Sequence, residues 1–237
     1  MIENKFVTVP RLIILVLAVL PLFFLEEFYN HFYVYLTGTI ISGVVIDAWP
    51  VVLASIFVFG LFLIPLTYRK KAKWLDYSLV GAFFVFLFVE MYGIPLSILF
   101  ASKYMFQAGV ELPENVIEFK LLGTGLGMDH SMLYGTVLMI IGMTLIILGW
   151  ISLYRQVKRG DGFAASGIYR YSRNPQYLGF MLLILGWFFG WPTILTLIFS
   201  PILIYKYYRA ARAEERDMLN LYGDKYLEYQ SKTKFLI

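Results

Sequence analysis

Two stretches near the C-terminal end concentrate the residues able to do chemistry. The first, 155–179, reads RQVKRGDGFAASGIYRYSRNPQYLG. Gly160, Gly162 and Gly167 let a backbone come close to a ligand, and Pro175 biases Asn174 toward an extended conformation before opening a helix. Backbone amides are then left to bind a ligand. On composition alone the same loop reads as an ordinary segment with arginines that set membrane topology.

The second stretch is AARAEERDMLNLYGDKYLEYQSKTKFLI. Leu219, Tyr222, Tyr226 and Tyr229 follow Glu215 at spacings of 4, 7, 11 and 14, which predicts one helical stripe and an amphipathic tail helix. Glu214 and Glu215 stand where a cation held by the preceding loop meets a carboxylate. Elsewhere, Glu90 falls inside an apolar run, where an ionisable group is a candidate substrate contact. A protonated Glu90 hydrogen-bonded within the bundle is the competing reading. His31 and His130 read as structural or surface groups, and Asp129-His130 alone makes no metal site. With no cysteine, thiolate metal sites, disulfides and a cysteine nucleophile are excluded.

The elements that must position these residues are membrane helices. The chain is 59% hydrophobic and 15% charged, with a mean hydropathy of +0.70, far from the balance of water-soluble domains. Apolar runs at 6–25, 50–68, 75–100 and 133–154 each approach the roughly 20 residues that cross a bilayer. The first is followed by Glu26 and Glu27 without a cleavage pattern and reads as a retained span. Residues 28–46 read as a re-entrant or interfacial segment, because a turn at Glu26-Glu27 between two full spans would be very tight. The block 177–208 is too long for one crossing and predicts a helical hairpin reversing at Gly190-Trp191-Pro192.

Basic clusters at 69–73, 155–173 and 206–212 predict cytoplasmic loops, and the acidic loops 26–49 and 101–132 fall on the opposite side. The fold class expected is an all-α polytopic transmembrane bundle of about six spans, with five to seven compatible with the pattern. Both termini and the loop 155–179 are then expected to face the cytoplasm. The same rule accounts for the net charge of +4 without nucleic acid. Residues 1–132 form the N-terminal spans and outward loops, and residues 133–237 the functional module.

The two C-terminal stretches carry a resemblance. Gly167-Ile168-Tyr169, then Arg173-Asn174-Pro175-Gln176-Tyr177-Leu178-Gly179, a hairpin, Glu214-Glu215 and Gly223-Asp224-Lys225-Tyr226-Leu227-Glu228-Tyr229 are similar to the isoprenylcysteine carboxyl methyltransferase family and related membrane phospholipid methyltransferases. The resemblance implies a methyltransferase that binds S-adenosylmethionine between loop, hairpin and tail. Ser166, Gly167, Ile168, Tyr169, Asn174, Pro175, Tyr177, Glu214 and Glu215 would line the cofactor site. Arg173 and Glu215 would be catalytic, supplying charged partners for the cofactor. The acceptor, lipid-soluble or lipid-attached, would arrive from the bilayer: an isoprenylcysteine carboxylate, a phospholipid amine or a small thiol. The eukaryotic members have His where this chain has Asn174, which keeps hydrogen bonding but removes acid–base capacity near neutral pH.

Two other classes fit parts of the pattern. A membrane sterol or steroid reductase using NADPH is similar around Asn-Pro-x-Tyr, although such enzymes continue with Glu after the glycine, where this chain has Phe180. A non-enzymatic carrier or assembly protein would show more polar residues within its spans.

Overall fold

The computed structural model describes residues 9–36, 114–121, 124–159, 162–192 and 194–236. The expected spans at 50–68 and 75–100, the basic cluster at 69–73 and Glu90 lie outside these residues.

Helix α1 (Val9–Val19) passes into a 3-10 segment, Leu20–Phe24, and then into α2 (Leu25–Leu36). Pro21 lacks the amide that an α-helical ladder needs, and it sits at the start of the 3-10 segment. Glu26 and Glu27 are inside α2, so the first span does not end at Leu25. Leu12–Leu36 forms one apolar helical stretch of 25 residues, long enough to cross a membrane. The expectation of a separate re-entrant segment starting at residue 28 is therefore corrected over 28–36; glutamate is a good helix former and does not break the run.

Strands β1 (Ile117–Leu121) and β2 (Thr124–Met128) pair antiparallel, with Phe119 opposite Leu126. This two-stranded hairpin sits among elements that are otherwise helical, consistent with the expected all-α class. Its sequence alternates Ile117, Phe119 and Leu121 with Glu118 and Lys120, a period of two that a hydropathy window averages away.

The long helices follow: α3 (His130–Arg159), α4 (Pro175–Gly190), α5 (Ile194–Tyr222) and α6 (Asp224–Lys232). A 3-10 turn, Gly167–Arg170, lies in the connection before α4. Within α3, His130–Gln156 is the second described stretch long and apolar enough to span. The predicted reversal occurs at Trp191-Pro192, between α4 and α5. The chain divides into two compact units, each assembled from separated stretches. The first takes in the chain up to Glu26, Val137–Leu185 and the chain from Leu203; the second takes in described residues between Glu27 and Thr136, and Gly186–Ile202.

In the second unit a buried polar pin joins three elements. His31, predicted as structural or surface, is fully buried. Its Nδ1 lies 2.5 Å from Asp129 Oδ2, and its Nε2 donates to the Gly190 carbonyl at 3.1 Å. Asp129 Oδ1 accepts from the Met132 amide at 2.9 Å and so caps α3. Ser131 Oγ donates to the Phe189 carbonyl at 2.7 Å. The orphan carbonyls that end α4 are thereby satisfied away from water.

In the first unit α3 and α4 approach until their backbones touch. A Cβ on Gly142 would stand 2.6 Å from the Gly179 carbonyl oxygen, and one on Gly179 would stand 2.6 Å from that of Gly142. Small residues at a crossing allow the close packing that holds helices together where lipid provides no hydrophobic drive. On the other face of α4, Phe180 stacks on Tyr207 of α5 at 5.1 Å and 7°. Gly142→Ala must push two backbones apart and is expected to cost about 1–3 kcal/mol. A Cβ on Gly149 would meet the Gln176 side chain, with Cγ at 2.6 Å and Cδ at 3.5 Å, and a side chain yields more readily than two backbones. Thermal unfolding in detergent should show a clear loss for Gly142→Ala and a smaller one for Gly149→Ala; equal losses would refute the backbone contact as the constraint.

Candidate functional site

The site is built where α4 begins. Pro175 occupies the first helical position, and the Leu178 amide donates to the Asn174 carbonyl at 3.1 Å. Asn174 therefore stands at the N-cap. Its side chain turns away from the helix: Nδ2 donates to Glu215 Oε1 at 3.3 Å and to the Phe235 carbonyl at 3.1 Å. Both partners are acceptors, which fixes the orientation of the amide.

Arg173 joins the same carboxylate. Its Nε donates to Glu215 Oε1 at 2.6 Å and its Nη2 to Oε2 at 3.4 Å, a two-pronged pair. Nη1 donates to the carbonyls of Gln230 and Thr233 at 3.0 and 2.6 Å. Side-chain exposure is only 11% for Arg173 and 6% for Glu215. The arginine thus commits four of its five donors within the protein, and its guanidinium holds Glu215 and the tail.

The tail lies against the segment before α4. The Arg173 amide donates to the Lys234 carbonyl at 2.9 Å, and Ser172 forms a parallel bridge with Lys234. The Phe235 ring stands 4.5 Å from the Arg212 guanidinium carbon and 5.9 Å from that of Arg173. Cation–π contact there orients both cations.

The predicted stripe from Glu215 to Tyr229 is not one helix. Gly223 takes φ +49°, a left-handed value that glycine accepts readily, and divides α5 from α6. The rings converge nonetheless: Phe163 lies 5.1, 5.2 and 5.4 Å from Tyr222, Tyr226 and Tyr229. Tyr229 donates its hydroxyl to the Tyr169 carbonyl at 2.6 Å, tying the tail to the Gly167–Arg170 turn. Burial, and then the nearby Glu215 charge, push the Tyr226 phenol up to about 12. Burial also raises the Tyr229 phenol, so both hydroxyls keep their protons under physiological conditions.

The structure brings Arg173, Asn174, Pro175 and Glu215 together. Tyr177 is buried on α4, its ring 6.3 Å from Tyr207. Tyr169 is buried beneath Tyr229, whereas Ser166 and Gly167 are exposed and Ile168 is half-buried. Glu214 is half-buried and close enough to Tyr226 to contribute to its raised value. Beside Glu215 a groove of about 420 Å³ opens, lined by Tyr208, Arg209, Arg212, Arg216, Leu219 and Gln230. Sequence reasoning missed Phe163, Gln230, Thr233 and Phe235. The latter three act largely through backbone carbonyls, which leave no side-chain signature; Phe235, an aromatic after the polar run SKTK, was the available hint.

Residues 130–225 match the family model described as phospholipid methyltransferase. No curated protein and no solved structure matched the chain.

Proposed function

Starting from a phospholipid methyltransferase domain at residues 130–225, we propose that this chain is an integral membrane enzyme. It transfers a methyl group from S-adenosylmethionine to a lipid-soluble or lipid-attached acceptor. The observation that carries this reading is the convergence of Arg173 and Asn174 on the buried carboxylate of Glu215, far along the chain but inside the same matched segment.

The donor set suits the cofactor's chemistry. Its sulfonium and ammonium call for carboxylates, which Glu214 and Glu215 provide, and its carboxylate calls for amide or guanidinium donors. The exposed Ser166-Gly167 backbone lies in the turn tied to α6 through Tyr169 and Tyr229. Bound there, the cofactor supplies an electrophilic methyl for in-line displacement. Glu215, held by Arg173 and Asn174, presents fixed negative charge toward a cationic ligand, so little reorganisation is needed during reaction. Arg173 acts as a positioning residue, and Asn174 keeps the tail closed over it. The basic residues after α3 and along α5 orient this end of the module toward the cytoplasm, with the chain crossing the bilayer several times.

Calorimetric titration of detergent-purified chain tests the reading directly. S-adenosylhomocysteine is expected to bind at micromolar concentration and NADPH not at all, with Glu214→Gln weakening the first by about tenfold through loss of a charged partner. Binding of NADPH alone would sink the methyltransferase reading in favour of a reductase.

A further inference from the structure

The β1–β2 hairpin stands directly before α3, and its two faces differ in chemistry. Ile117 lies opposite Met128 and Glu118 opposite Gly127, and directly opposed residues of an antiparallel pair share a face. Alternation then puts Ile117, Phe119 and Met128 on one side and Glu118, Lys120 and Gly127 on the other. Contacts mark the polar side: Asn115 Nδ2 donates to Glu118 Oε1 at 3.5 Å, and a Cβ on Gly127 would run into the Asn115 side chain. The apolar side is only partly covered by the protein. Ile117 is 43% exposed, and Phe119 and Met128 are half-buried.

The root of the hairpin fixes its level. Met128 is two residues from His130, the first residue of α3, so β2 ends within about 7 Å of that helix. Asp129 between them is buried and holds both His31 and the Met132 amide, which leaves the root little freedom to swing. In turn, α3 carries the apolar stretch His130–Gln156, long enough to cross a membrane. A lone two-stranded hairpin is marginal in water, and an apolar face beside a membrane span has lipid as its nearest apolar medium. Full immersion is excluded. The outer edges of two strands carry unpaired backbone groups, which water at headgroup level satisfies and hydrocarbon does not. A two-faced hairpin at this level suits the boundary between headgroups and acyl chains, where amphipathic helices also lie.

We propose that β1–β2 is an interfacial anchor: Ile117, Phe119 and Met128 are seated in the lipid leaflet at the N-terminal end of α3, and Glu118 and Lys120 face water. The anchor sets the depth of α3. It rests on that helix crossing the bilayer and not on the methyl-transfer reading.

The chain has no cysteine, so single labels are clean. Ile117→Cys, Glu118→Cys, Phe119→Cys and Lys120→Cys are each labelled with an environment-sensitive fluorophore and reconstituted in dioleoylphosphatidylcholine vesicles. Ile140→Cys, at an exposed position within α3, serves as the membrane reference. A nitroxide carried on a lipid acyl chain is expected to quench labels at 117 and 119 several-fold more than those at 118 and 120, and aqueous iodide should give the reverse order. Equal quenching at all four positions, or labels at 117 and 119 shielded from both quenchers, overturns the proposal. So does an Ile140→Cys label that the lipid nitroxide does not reach, because α3 then does not carry the hairpin to a membrane. Oxidation of unlabelled Ile117→Cys to a disulfide-linked dimer that persists on dilution with lipid would make a second copy the occupant, and the lipid assignment would fall.

Discussion

Arg173→Met is expected to destabilise the folded chain by about 3–5 kcal/mol, the usual consequence of stranding one half of a buried ion pair. Glu215→Leu should cost less. Removing the arginine leaves a carboxylate that is 6% exposed, with Asn174 at 3.3 Å and the more distant Arg212 for compensation. It also deprives the Gln230 and Thr233 carbonyls of the Nη1 that serves both. Removing the glutamate leaves Arg173 with those two carbonyls and Asn174 with Phe235. The double variant should lose less than the sum of the singles, with a coupling of about 0.5–3 kcal/mol. Equilibrium unfolding in detergent–denaturant mixtures measures all four corners of the cycle, and strictly additive losses would show that the pair is not the unit drawn here.

That asymmetry bears on how much of the site was legible in the sequence. Arg173, Asn174 and Glu215 are readable because charged and amide groups in a mostly apolar chain have few uses, and their order resembles a known module. What each touches was not readable. The arginine's dominant partners include two backbone carbonyls more than 55 residues away, and any residue type supplies a carbonyl. The Asn174 side chain offers two N–H groups on one nitrogen and uses both. A neutral histidine offers one ring N–H, so asparagine suits a site that closes onto the tail.

The fold divides along similar lines. The helical hairpin was legible because its apolar block exceeds the bilayer and Gly190-Trp191-Pro192 marks the reversal. The β-hairpin was not, since five-residue strands vanish in a hydropathy window. The continuity of the helix through Glu26 and Glu27 was misread because charge was taken as a boundary, although helical hydrogen bonding does not depend on it. Gly179, counted as part of a ligand motif, is explained by a backbone contact with Gly142.

The second large effect is expected from the last few residues. A chain lacking residues 233–237 loses the carbonyls of Thr233, Lys234 and Phe235, which receive the Arg173 side chain, the Arg173 amide and Asn174 respectively. It also loses the ring that braces Arg212. Arg173 and Asn174 are then free to leave the geometry in which they hold Glu215, and a carboxylate no longer fixed binds a cation less well. Affinity for S-adenosylhomocysteine is expected to fall by well over tenfold, because several charge-assisted bonds are lost together. Thr233→Ala and Lys234→Ala, which keep the backbone acceptors, should be nearly silent, and Phe235→Ala should fall between. The graded series separates a tail that works through its main chain from one that works through its side chains. Wild-type affinity in the deletion, or a loss with Lys234→Ala as large as the deletion's, would mean that the tail does not hold the site as the hydrogen bonds indicate.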